Sequence, residues 1–317
     1  MSSWPDTIAE YFYRLAASGW VPRRLFINRL PESETLQPTT GPLKLEVVSH
    51  CWKYAHFLAY QLSSLVLYPP KDLSVRMTVF YCEDDPATRD VVRFFDQQHA
   101  NNVCWNWRPL EKNRLFRRAI GRNLAAVESQ ADWVWFTDCD QVFHQDCLDS
   151  LANELQGRSD PLVYPCCVYR TELLENDADL LQAASGQAKV IDIDTRQFFA
   201  CRHNRAVGAL QIVHGDIARR YGYCQSTPYY QKPMPHWCKC TEDRVYRWLL
   251  GTHGTPIDIP GLFRIEHAHK GRYDANRRTQ PLRSFVRTRL MEPIRQRADA
   301  LPDRAPSQAV DREKRVA

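Results

Sequence analysis

Between Leu45 and Thr137 the sequence alternates short apolar runs with segments of helical period, and this alternation restricts the fold more than any other feature. Leu45–Ser49, Val75–Cys82, Val103–Trp107 and Trp133–Thr137 have the length and apolar content of buried strands. Tyr54–Leu67, Thr88–His99 and Arg114–Gln130 carry apolar residues three and four apart, as helices do. A β-α-β-α-β-α-β order calls for α/β architecture: a doubly wound, mostly parallel central sheet flanked by helices, in a single main domain. Ligands of such sheets sit beyond the carboxyl ends of the strands.

The remainder reads less regularly. Asp6 can cap a short helix near the N-terminus, with Ile8, Phe12 and Leu15 on one face, and residues 31–43 hold three prolines as a linker. Past Asp138, Asp146–Leu155, Thr171–Ala184 and Thr241–Leu250 read as helices, Phe198–Cys201 and Ala206–Val213 as strands, and Pro228–Cys240 as an aromatic loop. The expected organisation is an N-terminal helix and linker over 1–43 and one main domain over 44–279. That domain has halves at 44–140 and 141–279, and a basic C-terminal helix and tail follow over 280–317.

Charge separates the tail from the body. Residues 264–317 carry 14 basic and 7 acidic residues, and the preceding 263 carry 28 and 30. A neutral body argues against nucleic acid as the partner, because such proteins carry their basic face on the folded domain. Leu282, Phe285, Val286 and Leu290 share a helical face beside Arg283, Arg287 and Arg289. That pattern suits peripheral contact with an anionic membrane, or a strap docked on the domain. No apolar run approaches the roughly 20 residues of a spanning helix, and Met1–Glu10 lacks the pattern of a secretory signal. The expected location is cytoplasmic, at the inner face of the membrane only if the C-terminal helix is an anchor and not a strap, with the 11 cysteines reduced. His236-Trp-Cys238-Lys-Cys240 lacks the second spaced pair that a structural zinc site needs.

The strongest chemical signal is Trp133-Val-Trp-Phe-Thr-Asp138-Cys-Asp140. An apolar strand delivers two carboxylates one residue apart, and Mg²⁺ or Mn²⁺ takes oxygen ligands of that kind together with substrate phosphates. Aspartates also open turns after strands for purely local reasons. Farther on, Glu242 and Asp243 follow Thr241 in the first turn of a helix, where the dipole favours ionised carboxylates; acids are enriched there for stability alone as well.

Arg118-Ala-Ile-Gly-Arg122-Asn123, then Ala131-Asp-Trp-Val-Trp-Phe-Thr-Asp138-Cys-Asp140, then Thr241-Glu242-Asp243, resembles family 2 glycosyltransferases of the GT-A fold. The resemblance covers roughly residues 44–270, and it implies a catalytic domain over 44–279 with a nucleotide-sugar half at 44–140 and an acceptor half at 141–279. It implies a metal-dependent transferase, a hexosyltransferase in type, moving sugar from a nucleotide-diphosphate donor, UDP-sugar favoured, to a hydroxyl of a glycan or glycolipid acceptor, by inversion. It implies Asp140 as the direct ligand of Mn²⁺ or Mg²⁺, Asp138 on the ribose or a metal-bound water, Asp243 as base and Glu242 in support. Ser49 and Trp52 after the first strand, and Glu83 and Asp84 after the second, would meet base and ribose. Arg118 and Arg122 would neutralise diphosphate. His269 or His267 would reach the metal, with Lys270 on phosphate. A nucleotidyltransferase would want a glycine-rich phosphate loop after the first strand, and Ser49–Leu58 holds no glycine. A catalytically silent domain of the same fold is the other alternative, and the joint presence of Asp138, Asp140 and Asp243 argues against it.

Overall fold

The structure is a computed structural model that describes residues 4–27, 36–236 and 241–267. The chain divides into two units, Met1–Asn276 and Arg277–Ala317, and the second lies outside the described residues together with the basic tail expected from residue 280. In chain order the elements are α1 (Trp4–Leu15), β1 (Leu43–His50), α2 (Ala55–Leu67), β2 (Leu73–Tyr81), α3 (Pro86–Asp96), β3 (Val103–Pro109), α4 (Lys112–Leu115) and α5 (Arg118–Glu128). Then come β4 (Trp133–Phe136), β5 (Gln141–Phe143), α6 (Cys147–Leu155), β6 (Leu162–Pro165), β7 (Cys167–Thr171), α7 (Asp179–Ala183), β8 (Phe198–Arg202) and β9 (Gln211–His214). The described part closes with α8 (Gly215–Tyr221), α9 (Glu242–Leu250), β10 (Thr255–Ile257) and β11 (Leu262–Arg264).

Seven strands form the central sheet in the order β10-β6-β9-β4-β1-β2-β3. Only β9 runs against its neighbours; the other pairings are parallel. The mostly parallel α/β sheet read from the sequence is the sheet observed. A parallel strand is covered on both faces, so it must be apolar along its length rather than alternating. Val47 and Val48 in β1 and all four residues of β4 are buried accordingly. A second sheet, β5-β11-β7-β8, was not legible beforehand.

Four local expectations are corrected. The helix expected over Arg114–Gln130 is two, because Arg117 is non-helical (φ −103°, ψ 87°) and its guanidinium lies over the rings of Tyr229 and Tyr230. The break makes Arg118 the first residue of α5. Thr171–Ala184 is not one helix: Thr171 ends β7 opposite Phe198, its hydroxyl accepts from the Glu266 N–H, and only Asp179–Ala183 coils. Here sheet pairing overrides a helical apolar spacing. The strand expected over Ala206–Val213 begins only at Gln211. Asp6 lies inside the first turn of α1, not at its cap, and pairs with Lys232 at 3.8 Å.

The N-terminal segment packs on α9. Tyr13 stacks on Tyr229, Phe26 meets Trp248, and the Trp248 indole donates to the Val21 carbonyl. α5 passes so near the end of β1 that a β-carbon on Gly121 would collide with His50 Nε2. No helix among the described residues is long and apolar enough to cross a membrane.

Candidate active site

The parallel strands deliver their carboxyl ends to one rim. β1 ends in Ser49 and His50, β2 leads into Glu83 and Asp84, and β4 leads into the turn Asp138-Cys139-Asp140. From the same side α5 begins at Arg118. The Arg118 Nη1 donates to Asp138 Oδ1 at 2.9 Å, and its Nε lies 3.4 Å from Glu242 Oε1. Arg122, one turn on and fully buried, reaches the same Asp138 oxygen at 3.3 Å and donates to the Thr137 carbonyl. The aspartate turn and the start of α9 are therefore joined through one guanidinium.

Asp140 is held from another direction. Its Oδ2 lies 3.5 Å from Arg264 Nε, which also faces Glu266 at 3.5 Å, and its carbonyl accepts from Ile265. Burial works against charge on Arg264, but Glu266, Asp140 and Asp138 outweigh it and hold the guanidinium above its ordinary value. Burial likewise opposes charge on Arg122, and Tyr223, Asp138 and Glu242 offset it. Both arginines remain cationic.

Glu242 is buried to 1% exposure, whereas the Asp243 side chain beside it is 29% exposed. Asp243 Oδ2 faces Arg247 one turn along α9 at 3.5 Å, and Arg247 is anchored by donating to the Ala206 carbonyl. Thr241 precedes α9 without capping it through its hydroxyl, which pairs with the Tyr230 hydroxyl at 3.0 Å.

The residues expected to meet a nucleotide fall into two groups. Glu83 and Asp84 are exposed, and Glu83 accepts from the Tyr81 hydroxyl, which burial and this bond push up to about 12. Asp85 is the helix cap: it accepts from Thr88 and from the Lys53 N–H, and Pro86 occupies the first turn of α3. Trp52 is only 4% exposed, with Phe116 edge-on and the Lys112 ammonium 4.9 Å from its ring centre, so its faces are occupied from within the chain. Ser49 is fully buried. His267 is packed between Tyr54 and Phe57. His269 and Lys270, like Trp237, lie outside the described residues.

Sequence reading gave no role to Arg264, Glu266, Arg247, His50, Tyr223 or Gln211. The position of Arg247 four residues after Asp243 was the one local signal available. The others are brought to the site by tertiary packing alone. His50 is the least expected: it is buried against Phe80, neither ring nitrogen has a hydrogen-bond partner among the described residues, and burial with Arg122 and Arg118 holds it neutral, well below its usual range.

The donor set can be tested for a divalent cation. Among the described residues no group of three or more His, Cys, Asp or Glu side chains converges. Along the ion pairs of the site, however, five carboxylates meet four guanidiniums. Mg²⁺ and Mn²⁺ take one or two carboxylates and complete their shell with phosphate and water, so these two residues fit such an ion.

No protein-family model matches the sequence, and no curated protein matches it. Among solved structures the chain is similar to S. aureus TarS 1–349, at 12% identity and TM-score 0.42, over 71% of this chain and 61% of that one; the chain thus spans about three fifths of that structure. It is also similar to the mannosyltransferase PcManGT from Pyrobaculum calidifontis in complex with GDP-Man and Mn²⁺, at 16% identity and TM-score 0.41, over 93% of this chain and 82% of that one.

Proposed function

We propose that this chain is a family 2-like glycosyltransferase of GT-A type, moving a sugar from a nucleotide-diphosphate donor to an acceptor hydroxyl with inversion. The observation that carries the reading is the Arg118 bridge from Asp138 to Glu242. It gathers into one site the two acidic motifs, one suited to a cation and a diphosphate, the other to a proton.

In this reading Asp243 acts as general base. As the acceptor oxygen forms its bond to the anomeric carbon, the bond from that carbon to the phosphate oxygen breaks, and the hydroxyl proton passes to the Asp243 carboxylate. Arg247 fixes that carboxylate from its Oδ2 side. Glu242, buried on Arg118, anchors the helix start and does not touch the acceptor. Asp140 and Asp138 would hold Mn²⁺ or Mg²⁺, with His269 as a further ligand. When bound, the ion supplies positive charge for the departing diphosphate, the ordinary part of a metal in phosphate chemistry. Arg118 and Arg122 both pair with Asp138, and the partly exposed Arg118 would join Lys270 in neutralising the diphosphate.

The exposed Glu83 or Asp84 accepts from a ring N–H of the base. Uracil and guanine both offer such a donor. The acceptor is a glycan or glycolipid hydroxyl. The test is a panel of UDP- and GDP-sugars, scored by calorimetry with Mn²⁺ and by transfer or hydrolysis. Metal-dependent binding of one donor supports the reading; no binding across the panel rejects it.

A further inference from the structure

A buried chain of hydrogen bonds links the two ends of the site. Arg122 Nη2 lies 3.3 Å from Asp138 Oδ1, and its Nη1 donates to the Tyr223 hydroxyl at 2.9 Å. That hydroxyl donates to Gln211 Oε1 at 3.0 Å, and Gln211 Nε2 donates to the Asp243 carbonyl at 3.0 Å. Gln211 Nε2 also reaches the Ala206 carbonyl at 3.3 Å, the acceptor that receives Arg247 at 2.6 Å. Arg247 in turn faces the Asp243 carboxylate. The far end of the relay thus holds Asp243 by its main chain and, through Arg247, by its side chain.

The direction of each bond is determined. Arginine only donates, so the Tyr223 oxygen accepts from it and spends its own proton on Gln211. Gln211 meets one hydroxyl and two carbonyls, so its amide nitrogen must face the carbonyls. Burial keeps the Tyr223 hydroxyl protonated, well above its usual range. Arg122, Gln211 and Tyr223 are each fully buried, so water does not compete for these bonds. The chain places Tyr223 with care: at Gly222 (φ +59°) a β-carbon would collide with Asn123, whose side chain accepts from the Tyr223 N–H.

Resting on the transferase reading above, we propose that Tyr223 and Gln211 are positioning residues that keep the cation-facing Asp138 in fixed register with the base Asp243. Two groups at opposite ends of a reacting bond must hold their separation, and a displacement of about 1 Å can cost up to about a hundredfold in rate. Neither Tyr223 nor Gln211 touches substrate in this scheme. Both act through Arg122 and α9.

The experiment uses the full chain with the donor found by the sugar panel. Tyr223→Phe removes one oxygen and keeps the ring; Gln211→Met keeps the shape and removes the amide. Each is expected to lower kcat about tenfold while the Kd for nucleoside diphosphate with Mn²⁺ stays within about twofold. The double variant should fall no farther than the worse single one, because one relay can be cut only once. Unchanged kcat in Tyr223→Phe, or losses that multiply in the double variant, would overturn the proposal. If the native protein binds and transfers no nucleotide sugar, the transferase reading fails by itself. The relay is then judged by urea unfolding of Tyr223→Phe, Asp138→Asn and the pair: non-additive losses uphold it, additive ones overturn it.

Discussion

Arg118 donates to Asp138 at 2.9 Å while its Nε lies 3.4 Å from Glu242, so two carboxylates from distant parts of the chain share one guanidinium. Glu242 is nearly sealed from water, and an isolated buried carboxylate is costly. The pair therefore acts as a clasp between the turn after β4 and the first turn of α9. Arg118→Ala leaves Glu242 buried without its cation and is expected to lower the unfolding free energy by about 3 kcal/mol, the usual size for breaking such a pair. Adding Glu242→Gln to it should restore a large part of that loss. Urea unfolding of both variants checks this; an unchanged midpoint in Arg118→Ala contradicts the clasp.

Asp140 is expected to control metal affinity. Asp140→Ala should weaken Mn²⁺ binding in the presence of nucleoside diphosphate by at least tenfold, and EDTA should stop transfer until Mn²⁺ or Mg²⁺ is restored. Calorimetry with the diphosphate present reads the first effect. Full turnover in chelator would contradict the assignment of Asp138 and Asp140.

Gly121 and His50 should be coupled. A methyl group at Gly121 meets His50 Nε2 and the Phe80 ring, both buried. Gly121→Ala should destabilise by about 2 kcal/mol, a typical cost of overpacking. In the background of His50→Ala the same change should cost much less, since the obstructing ring is gone. Additive losses by chemical unfolding would show that the contact is not where the strain arises.

His50 also makes a pH dependence. Its native value is held well below the ordinary one by burial, then by Arg122 and Arg118. In the unfolded chain it takes a proton near 6.5. Between its native value and 6.5 the unfolded state binds more protons, so stability rises with pH there and is lost as pH falls below about 6.5. The slope from this group is at most about 1.4 kcal/mol per pH unit. His50→Gln should flatten the stability curve between pH 6.5 and 5 relative to the native protein. Parallel curves would mean that His50 accepts a proton in the folded state.

The central sheet was legible because burial on both faces leaves unbroken apolar strands such as Trp133–Phe136, and because the intervening helices carry their own period. The second sheet was not. Its strands are three to five residues long, and β11 joins β5 and β7 only after a long excursion of the chain. Asp138, Asp140, Glu242 and Asp243 stood out because strand ends and first helical turns are recognisable places for carboxylates. Their partners did not. Arg264 and Gln211 reach the site from strands whose local sequence says nothing of it, and Tyr223 reaches it from a turn fixed by Gly222. Arg118 and Arg122 stood out as partners for a diphosphate, and their pairing with Asp138 was not legible. Trp52 likewise seemed suited to a base, but Phe116 and Lys112 cover its ring.

The central claim is that Asp243 is the base of a sugar transfer, and the most direct measurement is the single-turnover transfer rate of Asp243→Asn beside its donor affinity. The substitution keeps the shape of the side chain and removes its capacity to take a proton. The account predicts that Asp243→Asn binds nucleotide sugar and Mn²⁺ as the native protein does and transfers at least about a hundredfold more slowly, the usual worth of a general base. A variant that binds donor normally and transfers within a few-fold of the native rate would contradict the claim.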